Sequence, residues 1–169
     1  ELAKKNNIIN KDSDTHVLSE LLQIKAFNLN DLEGFFAFVL IDKNGTLKFC
    51  TRDRFGVKPL NYYIDDNKHI TISSEASVIS DLFNLDYNEK SLNEYKVFRA
   101  PIYQQSFFKK VKVVGPGSCL INGTYFDSTN YITESYLPFT KVLEKLDTSI
   151  TNSIESRMIS DVPVALLYS

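Results

Sequence analysis

The run RDRFGVKPL, residues 52–60, constrains this chain more than any other part of its sequence. Asp53 lies between two arginines, and a guanidinium suits a forked pair with a carboxylate. Gly56 permits a backbone angle or a close approach that a side chain would block, and Pro59 fixes φ after Lys58. An exposed hairpin with incidental charges does not need this combination. We therefore predict a buried or half-buried loop that positions other parts of the molecule and contains no nucleophile or base.

Hydrophobic spacing predicts a layered α+β domain around this loop. Apolar residues recur at i, i+3 and i+4 between residues 14 and 25, which is typical of a helix with one buried face. Residues 35–41 are nearly all apolar and predict a strand covered on both faces. Further strands are expected at residues 46–52, 60–64 and 70–73, in an antiparallel meander whose first turn contains Asn44 and Gly45.

The second half of the chain is predicted from weaker patterns. Short helices are expected at residues 77–83 and 91–97, and a firm turn at residues 115–117. Residues 118–121 and 124–126 read as strands joined by an Asn-Gly turn. After a polar linker, residues 139–158 predict an amphipathic helix, and residues 162–168 a buried strand.

Composition excludes several classes of function. The formal net charge is −2 and no long basic run occurs, so nucleic acid is not an expected partner. No apolar run approaches the ~20 residues that span a bilayer. Cys50 and Cys119 lack CxxC spacing, so we expect small buried hydrophobes and no metal site. A reducing cytoplasm is the default compartment.

Residues 52–60 resemble the signature of class II glutamine amidotransferase domains, above all those of glutamine-hydrolysing asparagine synthetases. Three other segments resemble parts of that family in the same order along the chain. These segments are SDT at residues 13–15, FKKVKVVGPGSC at residues 108–119 and SDVPVALLYS at residues 160–169. Because both chain ends resemble motifs that are cut through, we expect a fragment of a longer protein.

The resemblance implies a fold and a domain division. Residues 1–127 are expected to form a four-layer αββα glutaminase domain like those of N-terminal-nucleophile hydrolases, shortened at its N-terminus. Residues 128–137 are the expected linker. Residues 138–169 are expected to begin an α/β adenine-nucleotide domain of the PP-loop type.

The implied activity has two steps. Glutamine is hydrolysed to glutamate and ammonia, and ATP with Mg²⁺ activates a carboxylate, aspartate in asparagine synthetases, as an acyl-adenylate that ammonia then attacks. The nucleophile of such glutaminases is an N-terminal cysteine, which this chain does not contain, so the isolated chain is expected to be inactive. Two alternatives are an acceptor such as a sugar acid, and a glutaminase domain that serves only as a scaffold. Dimers occur in the family, so a homodimer is a further option.

The resemblance also assigns residues. Asp14 is predicted to hold the α-ammonium group of glutamine, although a helix cap explains the same residue. Leu167 is predicted to border the adenine of ATP, and Ser169 to begin the phosphate loop. The predicted structural and coupling residues are Arg52, Asp53, Arg54, Gly56, Lys58 and Pro59.

Overall fold

The computed structural model describes residues 8, 13–24, 28–102, 105–120, 123–124, 136–160 and 162–165. The chain divides into two compact units, Glu1–Asp127 and Ser128–Ser169. Several segments lie outside the described ranges, among them residues 121–122, most of the predicted linker and residues 166–169. The assignment of the two units to glutaminase and synthetase domains stays a prediction.

The first unit contains short helices and strands in mixed order. Its helices are α1 (Asp14–Leu21), a 3₁₀ helix (Leu29–Asp31), α2 (Ala76–Phe83) and α3 (Glu89–Phe98). Its strands are β1 (Ala37–Ile41), β2 (Leu47–Arg52), β3 (Asn61–Ile64), β4 (Ile70–Ser73), β5 (Lys112–Val113), β6 (Ser118–Cys119) and β7 (Gly123–Thr124). The predicted elements of this unit are therefore present, with ends shifted by a few residues.

The strands form two antiparallel sheets, ordered β1-β2-β6-β7 and β4-β3-β5. The first hairpin turns at Asp42, whose carboxylate accepts the N–H groups of Asn44 and Thr46, both at 2.9 Å. The single meander expected from the sequence is wrong, because β2 and β3 lie in different sheets. Thr51 of β2 pairs with Cys119, so the strand beside β2 comes from far along the chain.

Two apolar clusters define the layers of this unit. Cys50, Leu60 and Val114 pack together with apolar residues of both sheets. Tyr63, Ile79 and Val111 form a second cluster that joins the other face of the β4-β3-β5 sheet to α2. The described residues thus give the order sheet, sheet, helix, which confirms an α+β class. A helix layer on the far side of the first sheet stays a prediction.

The expectation that β1 is covered on both faces is wrong. Val39 and Ile41 are 41% and 60% exposed, and they lie on the same side of the strand because side chains alternate. β1 stands at the edge of its sheet, where an apolar run alone does not ensure cover. Apolar composition therefore overestimated its burial.

The second unit contains α4 (Phe139–Arg157), as the amphipathic pattern predicted. Residues 162–165 form no strand and are exposed, so the predicted buried strand is wrong for these residues. A strand needs a neighbour to pair with its backbone groups, and the described part of this unit contains only the helix. Within the described ranges, no helix is both long and apolar enough to cross a bilayer.

Candidate functional site

The loop of residues 52–60, called the RDRFG loop below, is built around the buried carboxylate of Asp53. This residue is 1% exposed. Its Oδ1 accepts the N–H groups of Phe55 at 3.1 Å and Val57 at 3.0 Å, and its Oδ2 accepts that of Lys58 at 3.0 Å. Burial raises the pKa of Asp53, but these backbone donors outweigh it and the pKa lies below its ordinary value. The ionised carboxylate therefore sets the path of the loop.

Arg52 fastens the loop from the other side. Its Nε donates to the carbonyl of Lys58 at 2.5 Å, its Nη1 to that of Val114 at 3.0 Å, and its Nη2 to that of Gly56. Burial lowers the pKa of Arg52 and the charge of Asp53 opposes this; the starting pKa is so high that the side chain stays cationic. In the described hydrogen bonds, Asp53 accepts main-chain N–H groups and Arg52 donates to main-chain carbonyls. The forked Arg–Asp pair stays a prediction.

The turn of residues 115–117, called the Gly-Pro-Gly turn below, packs directly on the loop. The N–H of Gly117 donates to the carbonyl of Asp53 at 2.8 Å. Gly56 has φ of 64°, and a Cβ there would lie 2.9 Å from Arg52 Cζ and 3.0 Å from Pro116 Cγ. The structure thus brings together two segments that the sequence singled out separately and did not predict to touch.

Arg54 joins the loop to the 3₁₀ helix by donating to the carbonyl of Asn30. That helix begins with an Asn28 side chain that accepts the N–H of Asn30 at 2.9 Å. Asn30 was not predicted as part of the site. The Asn-x-Asn spacing, which favours a local turn, is the signal that marks a fixed carbonyl here.

The outer side of the RDRFG loop is apolar and open. Phe55 is 68% exposed and Val57 is 51% exposed. Lys58 and Pro59 are also exposed. The loop therefore has a hydrogen-bonded polar inner side and presents apolar side chains outward. Its role in positioning other parts stays a prediction.

Asp14 is the first residue of α1 and is exposed. The cap of this helix is Ser13, whose side chain accepts the N–H of His16 at 3.1 Å. Within the described ranges, no hydrogen-bond partner occupies the Asp14 carboxylate and no contact joins Asp14 to the RDRFG loop. The carboxylate is available to accept hydrogen bonds from a cationic ligand, and its role stays a prediction.

The other predicted site residues are placed less directly. Leu167 and Ser169 lie outside the described residues, so the predicted contacts with ATP stay predictions. Ser74 and Glu75 form an exposed junction between β4 and α2, and the Ser74 carbonyl accepts Asn61 Nδ2 at 2.9 Å. This junction is a solvated connection between the two elements.

The cysteines are structural. Both are free and buried, as predicted, and burial raises the pKa of Cys50 to about 11. The register that pairs Thr51 with Cys119 places Cys50 and Cys119 on opposite faces of their sheet. A thiol with so high a pKa is protonated at neutral pH and is a poor nucleophile.

His69 lies at the β3–β4 turn. Its Nδ1 lies 3.1 Å from Asp65 Oδ2. The Asp65 Oδ1 also accepts the His69 N–H at 2.7 Å. The pair closes an exposed turn and has no described link to the RDRFG loop.

Comparisons with known proteins agree with these observations. A family model described as "Glutamine amidotransferase domain" matches residues 1–136. The chain is 30% identical over its full length to "Asparagine synthetase [glutamine-hydrolyzing] 1" of Bacillus subtilis, of which it spans 28%. It is 25% identical over its full length to a third Bacillus subtilis asparagine synthetase, spanning 29%. "Amidase chry2" of Gibberella zeae is 30% identical over 83% of the chain and 22% of that protein.

No solved structure matches the chain. The family match and the names of the relatives confirm the resemblance found from residues 52–60. The chain spans less than a third of the length of these relatives.

Proposed function

Because the chain belongs to the glutamine amidotransferase domain family, we propose that its first unit is the glutaminase part of a longer glutamine-dependent asparagine synthetase. In this proposal the complete protein releases ammonia from glutamine and uses it to amidate aspartate. The observation that carries the proposal is the family match over residues 1–136, which includes Asp14, the RDRFG loop and the Gly-Pro-Gly turn. A four-layer αββα fold of the N-terminal-nucleophile type belongs to the same proposal.

Asp14 is proposed to bind the α-ammonium group of glutamine. Its carboxylate is exposed at the start of α1, and Ser13 already caps that helix. A carboxylate with no structural task among the described residues is free to accept charge-assisted hydrogen bonds from an ammonium group. The RDRFG loop is proposed to position the neighbouring parts of this pocket and to take no part in bond breaking.

The synthetase step is proposed from the resemblance of residues 160–169. ATP would activate the aspartate carboxylate as an acyl-adenylate with Mg²⁺ offsetting the phosphate charge, and Leu167 and Ser169 would border the nucleotide. We also propose a cytoplasmic location, because two buried free thiols suit a reducing compartment. A homodimer is compatible with the proposal and is not required by it.

The proposal is tested with the complete protein that contains this sequence. Asparagine formation is measured from aspartate and ATP with either glutamine or ammonium chloride as the nitrogen source. We expect Asp14→Asn to lower the glutamine-dependent kcat/KM by about ten- to hundredfold, since a hydrogen bond to a charged group contributes ~1.5–3 kcal/mol. The ammonia-dependent rate should not change, because ammonia bypasses the glutamine pocket.

Glu20→Gln is the matched control, because Glu20 lies on the same helix and pairs with His16 at 2.8 Å. It should leave both rates near those of the unaltered protein. If the complete protein forms asparagine with ammonium chloride but not with glutamine, the glutaminase role is overturned and the first unit is a scaffold. Equal losses with both nitrogen sources would show that Asp14 acts on folding and not on glutamine.

A second candidate is amide transfer to a different carboxylate. It is supported by the fungal relatives named amidases, two of which match 83% of the chain. A panel of sugar acids and peptide carboxylates, offered in place of aspartate with glutamine and ATP, distinguishes the two. Glutamine-dependent AMP release with one of these acceptors, and none with aspartate, would favour the second candidate.

A further inference from the structure

A cleft beside β5 has no part in the proposed glutamine chemistry. Its volume is about 360 Å³. Its described lining combines two lysines, two amides and two aromatic rings: Lys110, Lys112, Asn88, Gln105, Tyr62 and Phe108. The lining therefore offers positive charge, hydrogen-bond donors and flat apolar surface at one place.

The charge around this cleft differs in sign from that of the chain. Residues 88–112 contain six lysines and arginines and two glutamates, although the whole chain has a net charge of −2. Lys109, just outside the lining, pairs with Asp86 at 3.4 Å. Lys110 and Lys112 have no acidic partner within the described ranges, so their positive charge is not offset by a neighbouring side chain.

The backbone of Lys110 is unusual. Its φ is 64°, in the left-handed region that a residue with a long side chain seldom adopts. The bend around it is fixed because the Lys109 N–H donates to the Asp86 carbonyl and the Asn88 N–H to the Phe107 carbonyl, both at 2.8 Å. The strained conformation persists because its surroundings hold it, and it sets Lys110 into the lining of the cleft.

A simpler explanation covers only part of this arrangement. β5 is the outer strand of its sheet, and lysine on an outer strand discourages pairing with another chain. The outer edge of β5 is already bridged to Gln105 at Lys112, so this explanation accounts for Lys112 only in part. It does not account for Lys110, because Lys110 precedes β5 and is not part of the outer strand.

The remaining lining suits the organic part of a ligand. Asn88 Nδ2 lies 3.4 Å from Gln105 Oε1, which holds the two amides at the rim. Phe108 stacks on Tyr87 with ring centroids 5.2 Å apart, so the Phe108 ring is held in place. We propose that this cleft binds a small organic phosphate monoester, whose dianion lies between Lys110 and Lys112 and whose apolar group lies against Phe108 and Tyr62.

The test uses the whole 169-residue chain and phenyl phosphate as the probe. Binding is followed by calorimetry and by backbone amide shifts of residues 88 and 105–113 in NMR spectra. We expect saturable binding that weakens about tenfold in the double variant Lys110→Gln, Lys112→Gln, since two charge contacts at partial exposure amount to ~1.4 kcal/mol or more. Inorganic phosphate should bind more weakly than phenyl phosphate.

The matched control is the double variant Lys90→Gln, Lys96→Gln, which removes the same charge from α3 outside the cleft lining. It should change the affinity by about twofold or less, because distant exposed charges are screened. Lys110→Gly separates binding from folding, since glycine tolerates this φ and should keep or raise the melting temperature while binding weakens, by no more than in the double variant Lys110→Gln, Lys112→Gln. Equal weakening in both double variants, or no saturable binding in the millimolar range, would overturn the proposal.

Discussion

The RDRFG loop and α4 are held in opposite ways. After Arg52, which ends β2, the loop contains no regular element. The Asp53 carboxylate nevertheless accepts main-chain N–H groups of the loop, and the Arg52 guanidinium donates to main-chain carbonyls of the loop and of Val114. Helix α4 is regular over its full length, yet its apolar stripe is exposed. The stripe consists of Val142, Leu143, Leu146, Ile150 and Ile154.

The difference shows that regularity and stability have separate causes. A loop held by several hydrogen bonds to a buried carboxylate is costly to deform, because each lost bond leaves a donor or acceptor without a partner. A helix with its apolar face in water gains little from packing and depends on propensity and local bonds. We therefore expect substitutions in the loop to cost much more free energy of unfolding than substitutions in α4.

The largest effect is expected from Asp53→Ala. The change leaves the part-buried N–H groups of Phe55, Val57 and Lys58 without their acceptor and should lower the free energy of unfolding by about 3–5 kcal/mol. Urea denaturation measures this loss. Asp42→Ala is the control, because Asp42 closes a turn in the same way at a more exposed position, and it should cost clearly less.

Gly56→Ala is expected to have the next largest effect. The new methyl group would meet Arg52 and Pro116 at about 3 Å, at a positive φ, and overpacking with backbone strain should cost about 2–4 kcal/mol. Gly45→Ala is matched to it, because Gly45 has φ of 80° and open space around its Cα. That variant should lower the free energy of unfolding only by the penalty for a side chain at positive φ, about 1 kcal/mol. Similar losses in both would mean that the close packing of the loop on the Gly-Pro-Gly turn does not persist in solution.

The pH dependence should be smaller than either truncation. The pKa of Asp53 is lowered in the folded state, so its contribution to stability is complete above the unfolded value near ~4 and is lost as the pH falls through the folded value. Protonation removes only part of the contribution, because a carboxyl group keeps one carbonyl acceptor. The contribution of Asp53 is isolated by measuring the urea midpoint from neutral pH to about pH 2 for the unaltered chain and for Asp53→Asn. If the midpoints of the two proteins fall with pH in parallel, other carboxylates, such as Asp42 and Asp65, cause the loss of stability in acid.

Local pattern was sufficient for the elements of the first unit and for α4, and not for the arrangement of the strands or for the strand predicted after α4. The i, i+3, i+4 spacing predicted α1 and α4, and the Asn-Gly pair marked the β1–β2 turn at Asp42. The pairing of Thr51 with Cys119 is a contact between residues far apart in the chain. Periodicity carries no information about such a contact, so the change of sheet after β2 was missed.

The candidate site was only partly predicted, because residue types do not reveal which distant groups come into contact. Residue types did identify the RDRFG loop, since Arg, Asp and Gly each have a distinct conformational or bonding capacity. They did not reveal that the partners of Arg52 and Asp53 are main-chain atoms, because every residue carries the same carbonyl and N–H groups. The carbonyl of Val114 cannot be singled out from side-chain identity, whereas the Asn-x-Asn spacing gives at least a local signal at Asn30.

The smallest effect is expected from Leu146→Ala in α4. Leu146 is 53% exposed, and alanine has the higher helix propensity, so the free energy of unfolding should fall by less than about 1 kcal/mol. Ile79→Ala is the buried counterpart, because Ile79 is 0% exposed in the cluster against α2, and it should cost about 2–5 kcal/mol. Circular dichroism during urea unfolding measures both. A loss at Leu146 as large as that at Ile79, growing with protein concentration, would show that a second copy covers the stripe in solution. The difference in substitution cost between the RDRFG loop and α4 would then hold for the single chain and not for the chain assembled with a second copy.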